Sequence, residues 1–249
     1  MRAEIEDLIP LRELASGARV LDLGCGSGTI PYDLYPHVNF IGSDCYANAQ
    51  TARWPANACL ALGDAECLPY ADGSFEGAVC NFVFEHFSDP RAALRELDRI
   101  LLPNGFLYIS FPLSGSLHDR LYRFALKGGG HLQRYTFESF LAMTYKETGF
   151  KLTAYSPMRS GFTWVQHLPY GKLIYRLLFN AFRLWSKAGF DPLEGSDFMM
   201  LFHLGDRRGY QPSAMTCAVC GDNAPGQKPG RYWDCPRCSF RNISVPRGA

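Results

Sequence analysis

Val20-Leu21-Asp22-Leu23-Gly24-Cys25-Gly26-Ser27-Gly28 is a short apolar run that enters a turn built on alternate glycines. Glycines at these positions remove the Cβ atoms that would hold a ligand away from the main chain. They also permit the left-handed dihedrals of a tight strand-to-helix turn. The stretch therefore reads as a strand that offers backbone N–H donors to a nucleotide-like ligand. Phosphate-binding and dinucleotide-binding loops share this composition, so the neighbouring segments decide which ligand it is.

Outward from this loop, each short apolar run finishes at a carboxylate. The first strand, Arg19 to Leu23, carries Asp22; Val38 to Ser43 ends at Asp44; Ala58 to Leu62 ends at Gly63-Asp64. Gly77 to Val83 reads as a fourth strand. Ser88-Asp89-Pro90 then supplies an N-cap and an N1 proline for a helix carrying Ala93, Leu94, Leu97, Ile100 and Leu101. Pro103-Asn104-Gly105 breaks that helix, and Phe106 to Ser110 is a fifth strand. Helices over Leu117 to Leu126 and Thr136 to Thr148 follow, separated by Gly128-Gly129-Gly130, with strands at Phe150 to Tyr155 and Asp197 to Leu204. A helix over Ile5 to Leu14 leads into the first strand. This alternation predicts an α/β fold: a mostly parallel, seven-stranded sheet with helices on both faces. The domain occupies residues 1–204, and the segments near 113–134 and 158–196 are long enough to build a lid or substrate pocket.

The chain has 249 residues, 47% of them hydrophobic, enough for one α/β core and a small appendage. A formal net charge of +1 gives no global attraction to nucleic acid or anionic membrane, so such partners would need a local patch. The N-terminal residues show no apolar signal-peptide core, and no long uncharged apolar run follows, which makes a cytoplasmic protein the expectation. Five of the nine cysteines are scattered and four cluster near the C-terminus, a split that fits reduced thiols plus one metal site. Cys25, without a Cys-x-x-Cys partner, reads as a small residue suited to its loop.

Three successive strand-end carboxylates can each answer a different part of one ligand at the C-terminal edge of a parallel sheet. Asp44 suits two ribose hydroxyls, Asp64 an adenine amino group, and Asp22 an ammonium. A pyrophosphate would instead prefer N–H donors and a nearby cation, and the loop continues Thr29-Ile30-Pro31 without the lysine of a P-loop. The ligand chemistry is that of S-adenosylmethionine.

On these features the chain resembles the class I S-adenosylmethionine-dependent methyltransferases, and within them the group that includes the ubiquinone and menaquinone enzymes. The glycine loop and Asp44 carry the likeness together with Gly63 to Glu76, Phe84-Glu85-His86-Phe87-Ser88-Asp89-Pro90 and Leu101 to Leu107. Glu76 stands where that group more often has Asp. The resemblance implies a Rossmann-like sheet. It also implies a cofactor site in which Asp22, Gly24, Cys25 and Gly26 line the methionyl side. Asp44, with Cys45 beside it, then meets the ribose, Asp64 and Ala65 meet the adenine, and Asn81 borders the sulfonium.

Methyl transfer needs a base only where the nucleophile has a proton to lose. His86, just after the fourth strand and beside Glu85, is the first candidate, and His131, after the glycine break, is the second; each also reads as a packing or capping residue. His118 and His167 are weaker candidates. Asn81-Phe82-Val83-Phe84 differs from the Asn-Pro-Pro-Tyr type associated with methylation of planar amino groups, which argues against such acceptors. Lys172 to Lys187 forms a basic amphipathic helix, with Leu173, Ile174, Leu177 and Leu178 on its apolar stripe. It suits packing on its own domain, association with a membrane surface, or covering an apolar acceptor.

Cys217-Ala218-Val219-Cys220 and Cys235-Pro236-Arg237-Cys238 have the spacing of two knuckles closing one tetrahedral site. The arrangement resembles a zinc ribbon over 216–243, joined by a linker at 205–215, with four thiolates closing a structural Zn²⁺ site. Rubredoxin-like iron is the alternative, although Ser239 replaces the glycine expected after the second pair. Arg231, Tyr232, Trp233, Arg237, Phe240 and Arg241 interleave cations with aromatics, suited to RNA or to a protein contact. The functional expectation is therefore methyl transfer to a small-molecule or lipid-linked acceptor. The alternatives are an RNA methyltransferase that grips its substrate through the ribbon, and a cofactor-binding interaction protein without turnover.

Overall fold

A computed structural model describes residues 10–45, 54–125, 131–158, 170, 173–174, 176–177, 180, 197–205, 232–234, 236 and 241–243. Seven strands form one sheet: β1 (Arg19–Leu23), β2 (Asn39–Asp44), β3 (Ala58–Leu62), β4 (Phe75–Asn81), β5 (Leu101–Pro112), β6 (Phe150–Met158) and β7 (Asp197–Leu204), in the order β3-β2-β1-β4-β5-β7-β6. β1 to β5 run parallel, and β7 is antiparallel to both β5 and β6. The order reverses at β1, so the ends of β1, β2 and β4 share the crevice where open parallel sheets take their ligands.

Successive side chains of each strand point to opposite faces of the sheet, which divides the core in two. Leu21, Leu23, Ala78, Cys80, Leu107 and Ile109 look toward one side. There they meet α1 (Pro90–Ile100) through Ala93, Leu94, Leu97 and Ile100, and α3 (Phe137–Glu147) through Phe140 and Leu141. α1 starts as expected: Asp89 caps it by accepting from the Arg91 and Ala92 N–H groups, with Pro90 at the first position. Thr136 and Ser139 form a capping box at the start of α3. Arg99 on α1 donates to Glu96, Asp72 and the carbonyls of Leu68 and Tyr70, which fastens the β3–β4 connection to the helix.

On the opposite face the described cover is made of 3-10 turns. Val20, Val79, Phe106 and Tyr108 are covered there by Leu11, Ile30, Tyr32 and Tyr35, and the described covering segments are single 3-10 turns at Pro10–Glu13 and Tyr32–Leu34. Pro31 and Pro36 bracket the second turn; each lacks a backbone donor, so no longer helix develops between β1 and β2. The predicted helix over Ile5 to Leu14 is therefore a 3-10 turn where it is described.

Several strand boundaries also differ from the expectation; β4 starts at Phe75, β5 ends at Pro112 and β6 runs to Met158. β4 ends at Asn81 rather than Val83, because Phe82 adopts φ +52°. β5 begins at Leu101 and runs through Pro103-Asn104-Gly105, with Asn104 at φ +66° absorbing the irregularity that sequence reads as a break. α2 (Leu117–Ala125) is the described part of the first insertion. At the C-terminus β8 (Tyr232–Asp234) pairs antiparallel with β9 (Arg241–Ile243), and β9 lies within 8 Å of the edge strand β6.

Candidate functional site

Beyond β1 the chain turns through Gly24, Gly26 and Gly28, all at positive φ (+69°, +50° and +104°). Gly24 is fixed twice over, by its dihedral and because a Cβ there would lie 2.2 Å from a Val83 methyl. The loop's donors are engaged with its neighbours. Gly24 and Cys25 N–H donate to the Ser43 carbonyl at 2.7 and 3.3 Å, Gly28 N–H to the Cys25 carbonyl at 2.7 Å, and Gly26 N–H to Asp44 Oδ2 at 2.9 Å. Asp44, half-buried at the tip of β2, thus ties the glycine loop to the second strand.

Asp22 is fully buried, and its carboxylate accepts from Thr29 N–H (3.1 Å), Thr29 Oγ1 (2.6 Å) and Tyr32 Oη (2.5 Å). Burial raises its pKa from the ordinary aspartate value, and the hydrogen bonds from Thr29 and Tyr32 oppose that shift. The geometry gives Asp22 the work of holding the loop's far side. Thr29 and Tyr32, which hold this carboxylate, were not singled out from the sequence; a hydroxyl residue and a tyrosine just past the last glycine were the available signal. Cys25 is 1% exposed, and burial beside Asp22 and Asp44 pushes its thiol up to about 12, which fits a packing residue. Cys45 is exposed at the end of β2, Asp64 is exposed past β3 with Oδ1 accepting from Glu66 N–H at 2.9 Å, and Ala65 is buried beneath it. The three carboxylates Asp22, Asp44 and Asp64 stand at the same end of three adjacent parallel strands.

Across the crevice, Asn81 closes β4 with its Oδ1 accepting from Ser110 Oγ at 2.5 Å. The left-handed Phe82 donates its N–H to the Ser110 carbonyl and hydroxyl at 3.0 and 3.2 Å, a strained turn held by β5. Val83 then seats on Gly24, and the 3-10 turn Phe84–His86 sends Glu85 inward and His86 to the surface. Leu132 and Gln133 N–H donate to the Glu85 carbonyl at 2.7 and 3.0 Å, which brings His131 to His86 with ring centroids 4.9 Å apart. His131 stacks on Tyr122 of α2 at 4.2 Å, and Arg123 of the same helix donates to Asp119 and to the carbonyls of His131 and Gln133. The two histidines chosen from sequence are thus brought together.

Glu85 is the less expected member. It is 3% exposed, Oε2 has no hydrogen-bond partner among the described residues, and burial, followed by the charges of Asp197 and Asp119, pushes its carboxyl up to about 8. Its adjacency to His86 in Phe84-Glu85-His86 was the only sequence signal. Cys217, Cys220, Cys235, Cys238 and His167 lie outside the described residues, as do Arg231, Arg237, Phe240 and most of Lys172 to Lys187.

A glycine loop at the switch point of this seven-stranded sheet, flanked by strand-end carboxylates, is the arrangement of a Rossmann-like methyltransferase fold. Residues 1–155 match the methyltransferase domain family, and the chain belongs to it. An uncharacterized methyltransferase of Bacillus subtilis, YcgJ, is 35% identical over 114 residues, 41% of this chain and 45% of the relative. A demethylmenaquinone methyltransferase of Deinococcus radiodurans is 38% identical over 107 residues, 39% of this chain and 44% of the relative. Both matches span less than half the relative's length. Among solved structures, a chain of the Haloferax volcanii complex between the Trm112 methyltransferase activator and a methyltransferase superposes with a TM-score of 0.59. That superposition has 17% identity and covers 82% of this chain and 89% of the other, a likeness of fold.

Proposed function

We propose that this protein transfers a methyl group from S-adenosylmethionine to a small-molecule or lipid-linked acceptor. The observation that carries the reading is the set of Asp22, Asp44 and Asp64 at one end of β1, β2 and β3, arranged around the glycine turn. A crevice rich in carboxylates suits a cofactor bearing a sulfonium and an ammonium, and repels a pyrophosphate. Asp44 would accept from the ribose hydroxyls and Asp64 from the adenine amino group. Asp22 would act through the loop it holds, and Asn81 would border the sulfonium.

Most of the acceleration then comes from holding nucleophile and methyl in line in a desolvated crevice. His86 and His131, beyond Val83, stand on the side from which an acceptor would approach, and either ring is suited to receive an acceptor proton. The demethylmenaquinone methyltransferase among the relatives supports an apolar, lipid-linked acceptor. So does the exposure of Leu173, Ile174 and Leu177 at 50, 40 and 61%. Among the described residues, no helix is long and apolar enough to cross a membrane.

We further propose that Cys217, Cys220, Cys235 and Cys238 hold one structural Zn²⁺. The sequence spacing supports this, with Cys235 and Cys238 both falling between the paired strands β8 and β9. Native mass spectrometry with and without S-adenosylmethionine tests both readings. One cofactor mass and one zinc per chain are expected; a protein that takes zinc and ignores the cofactor would favour an interaction module without turnover.

A further inference from the structure

Glu85, His86 and His131 each offer one ligand atom, and these atoms all lie within 4.8 Å of one another. Two imidazoles and one carboxylate are a donor set for divalent transition metals such as Zn²⁺, Mn²⁺ and Fe²⁺. In a tetrahedral site with bonds of about 2.0–2.1 Å, neighbouring ligands stand roughly 3.3 Å apart, so the cluster is open by about one bond length. Rotation of the exposed His86 side chain can close that gap.

The cluster is built into the fold. Glu85 and His86 share one 3-10 turn, and the Leu132 and Gln133 N–H groups anchor the His131 segment to the Glu85 carbonyl. Gln133 Nε2 adds a bond to the Phe87 carbonyl at 3.1 Å, and Arg123 holds the segment from α2. A carboxyl oxygen buried without a partner is unfavourable, and in a native protein such an atom calls for a reason such as a bound ion or a catalytic role. Glu85 Oε2 is such an atom. Asp119, itself buried and held by Arg123 at 2.8 Å, stands 3.9 Å from His131 Nδ1, within a short movement of the carboxylate–histidine–metal arrangement that orients ligating rings.

We infer that Glu85, His86 and His131 form a divalent-cation site at the acceptor side of the crevice, with Asp119 orienting His131. If the methyl-transfer reading above holds, the cation binds the acceptor through an oxygen, which selects acceptors with a hydroxyl beside a second oxygen donor. The bound hydroxyl ionises more readily and releases its proton to solvent. The alkoxide or phenolate oxygen forms the new C–O bond, the S–CH₃ bond breaks with its electron pair remaining on sulfur, and the products are the methyl ether and S-adenosylhomocysteine. A ligating histidine nitrogen cannot also take the proton, so at these rings the cation replaces the general base.

Mn²⁺ alone is the probe, because this hard ion avoids the thiolates of the C-terminal cysteines. Titration of the full chain followed by electron paramagnetic resonance, in the absence of S-adenosylmethionine, should show one Mn²⁺ bound per chain. Affinity should fall at least tenfold in Glu85→Gln, His86→Ala and His131→Ala, and measurably in Asp119→Asn. Cys59→Ser, at an exposed thiol on β3, should bind Mn²⁺ like the wild type. His86 is exposed, so its variant reports even if the buried Glu85 substitution misfolds. No Mn²⁺ binding by the wild type, or equal binding by His86→Ala, overturns the proposal. Cofactor binding measured in the same preparation separates this failure from failure of the methyl-transfer reading.

Discussion

The two sides of the crevice solve opposite problems with the same polar residue types. On the side of β1, β2 and β3, the three strand-end carboxylates are each tied to the backbone or to a hydroxyl. Asp22 is held by Thr29 and Tyr32, Asp44 by Gly26, and Asp64 by Glu66. Beyond β4, Glu85 is buried with an oxygen unpartnered beside two histidines and a strained Phe82. The first side is preorganised, a rigid seat whose shape is set before any ligand arrives. The second retains unfavourable electrostatics, the usual mark of a place where chemistry is done.

If that division is right, substitutions on the two sides should fail in different assays. Gly24→Ala should have the largest effect, because it meets both the positive φ and the Val83 methyl. We expect S-adenosylmethionine affinity to fall by more than ~100-fold and stability by about 1–3 kcal/mol, since overpacking and strain add. Calorimetric binding and thermal unfolding read these two effects. Adding Val83→Ala should recover part of the stability and little of the affinity, because the dihedral strain remains.

His86→Ala should leave cofactor affinity unchanged while lowering kcat by roughly 10²–10⁴, the range for loss of a group that acts on the acceptor proton. Equal losses in KM for cofactor and in kcat would break the division. Asp44→Asn should weaken the cofactor by about 10–100-fold, the value of hydrogen bonds to a charged acceptor at ~1.5–3 kcal/mol, with little change in thermal stability. The smallest effect should come from Tyr32→Phe, which removes one donor from the buried Asp22. A stability loss of about 0.5–1.5 kcal/mol is expected by chemical denaturation, because Thr29 still donates twice to Asp22, with cofactor affinity following only as far as the loop loosens.

Much of the first side was legible from sequence, for physical reasons that particular residues show. β1 and β3 fell on their predicted boundaries, and β2 within one residue, because short apolar runs ending at Asp44 and Gly63-Asp64 leave little freedom in placing a parallel strand. The cap at Asp89-Pro90 fixed the start of α1 in the same way. The end of β4 was not legible: a phenylalanine at positive φ contradicts its local preference and is enforced by β5 through Ser110. The 3-10 turn after the glycine loop was signalled by Pro31 and Pro36, but the expectation of a helix on each face outweighed that local chemistry. His86 and His131 were legible singly and not as a pair. The bonds that join them run from the backbone of Leu132 and Gln133 to the Glu85 carbonyl and are therefore independent of side-chain identity. Asp119 and Arg123, four apart on α2, had the spacing of a helical ion pair, and only the fold reveals that this pair props the His131 segment.

If the glycine side sets cofactor affinity and the histidine side acts on the acceptor, isothermal titration of S-adenosylmethionine into the wild type, Gly24→Ala and His86→Ala separates the two. The account predicts one site per chain in the wild type, the same affinity in His86→Ala and no measurable binding in Gly24→Ala. A wild type that gives no heat of binding, or a Gly24→Ala variant that binds as tightly as the wild type, would contradict it.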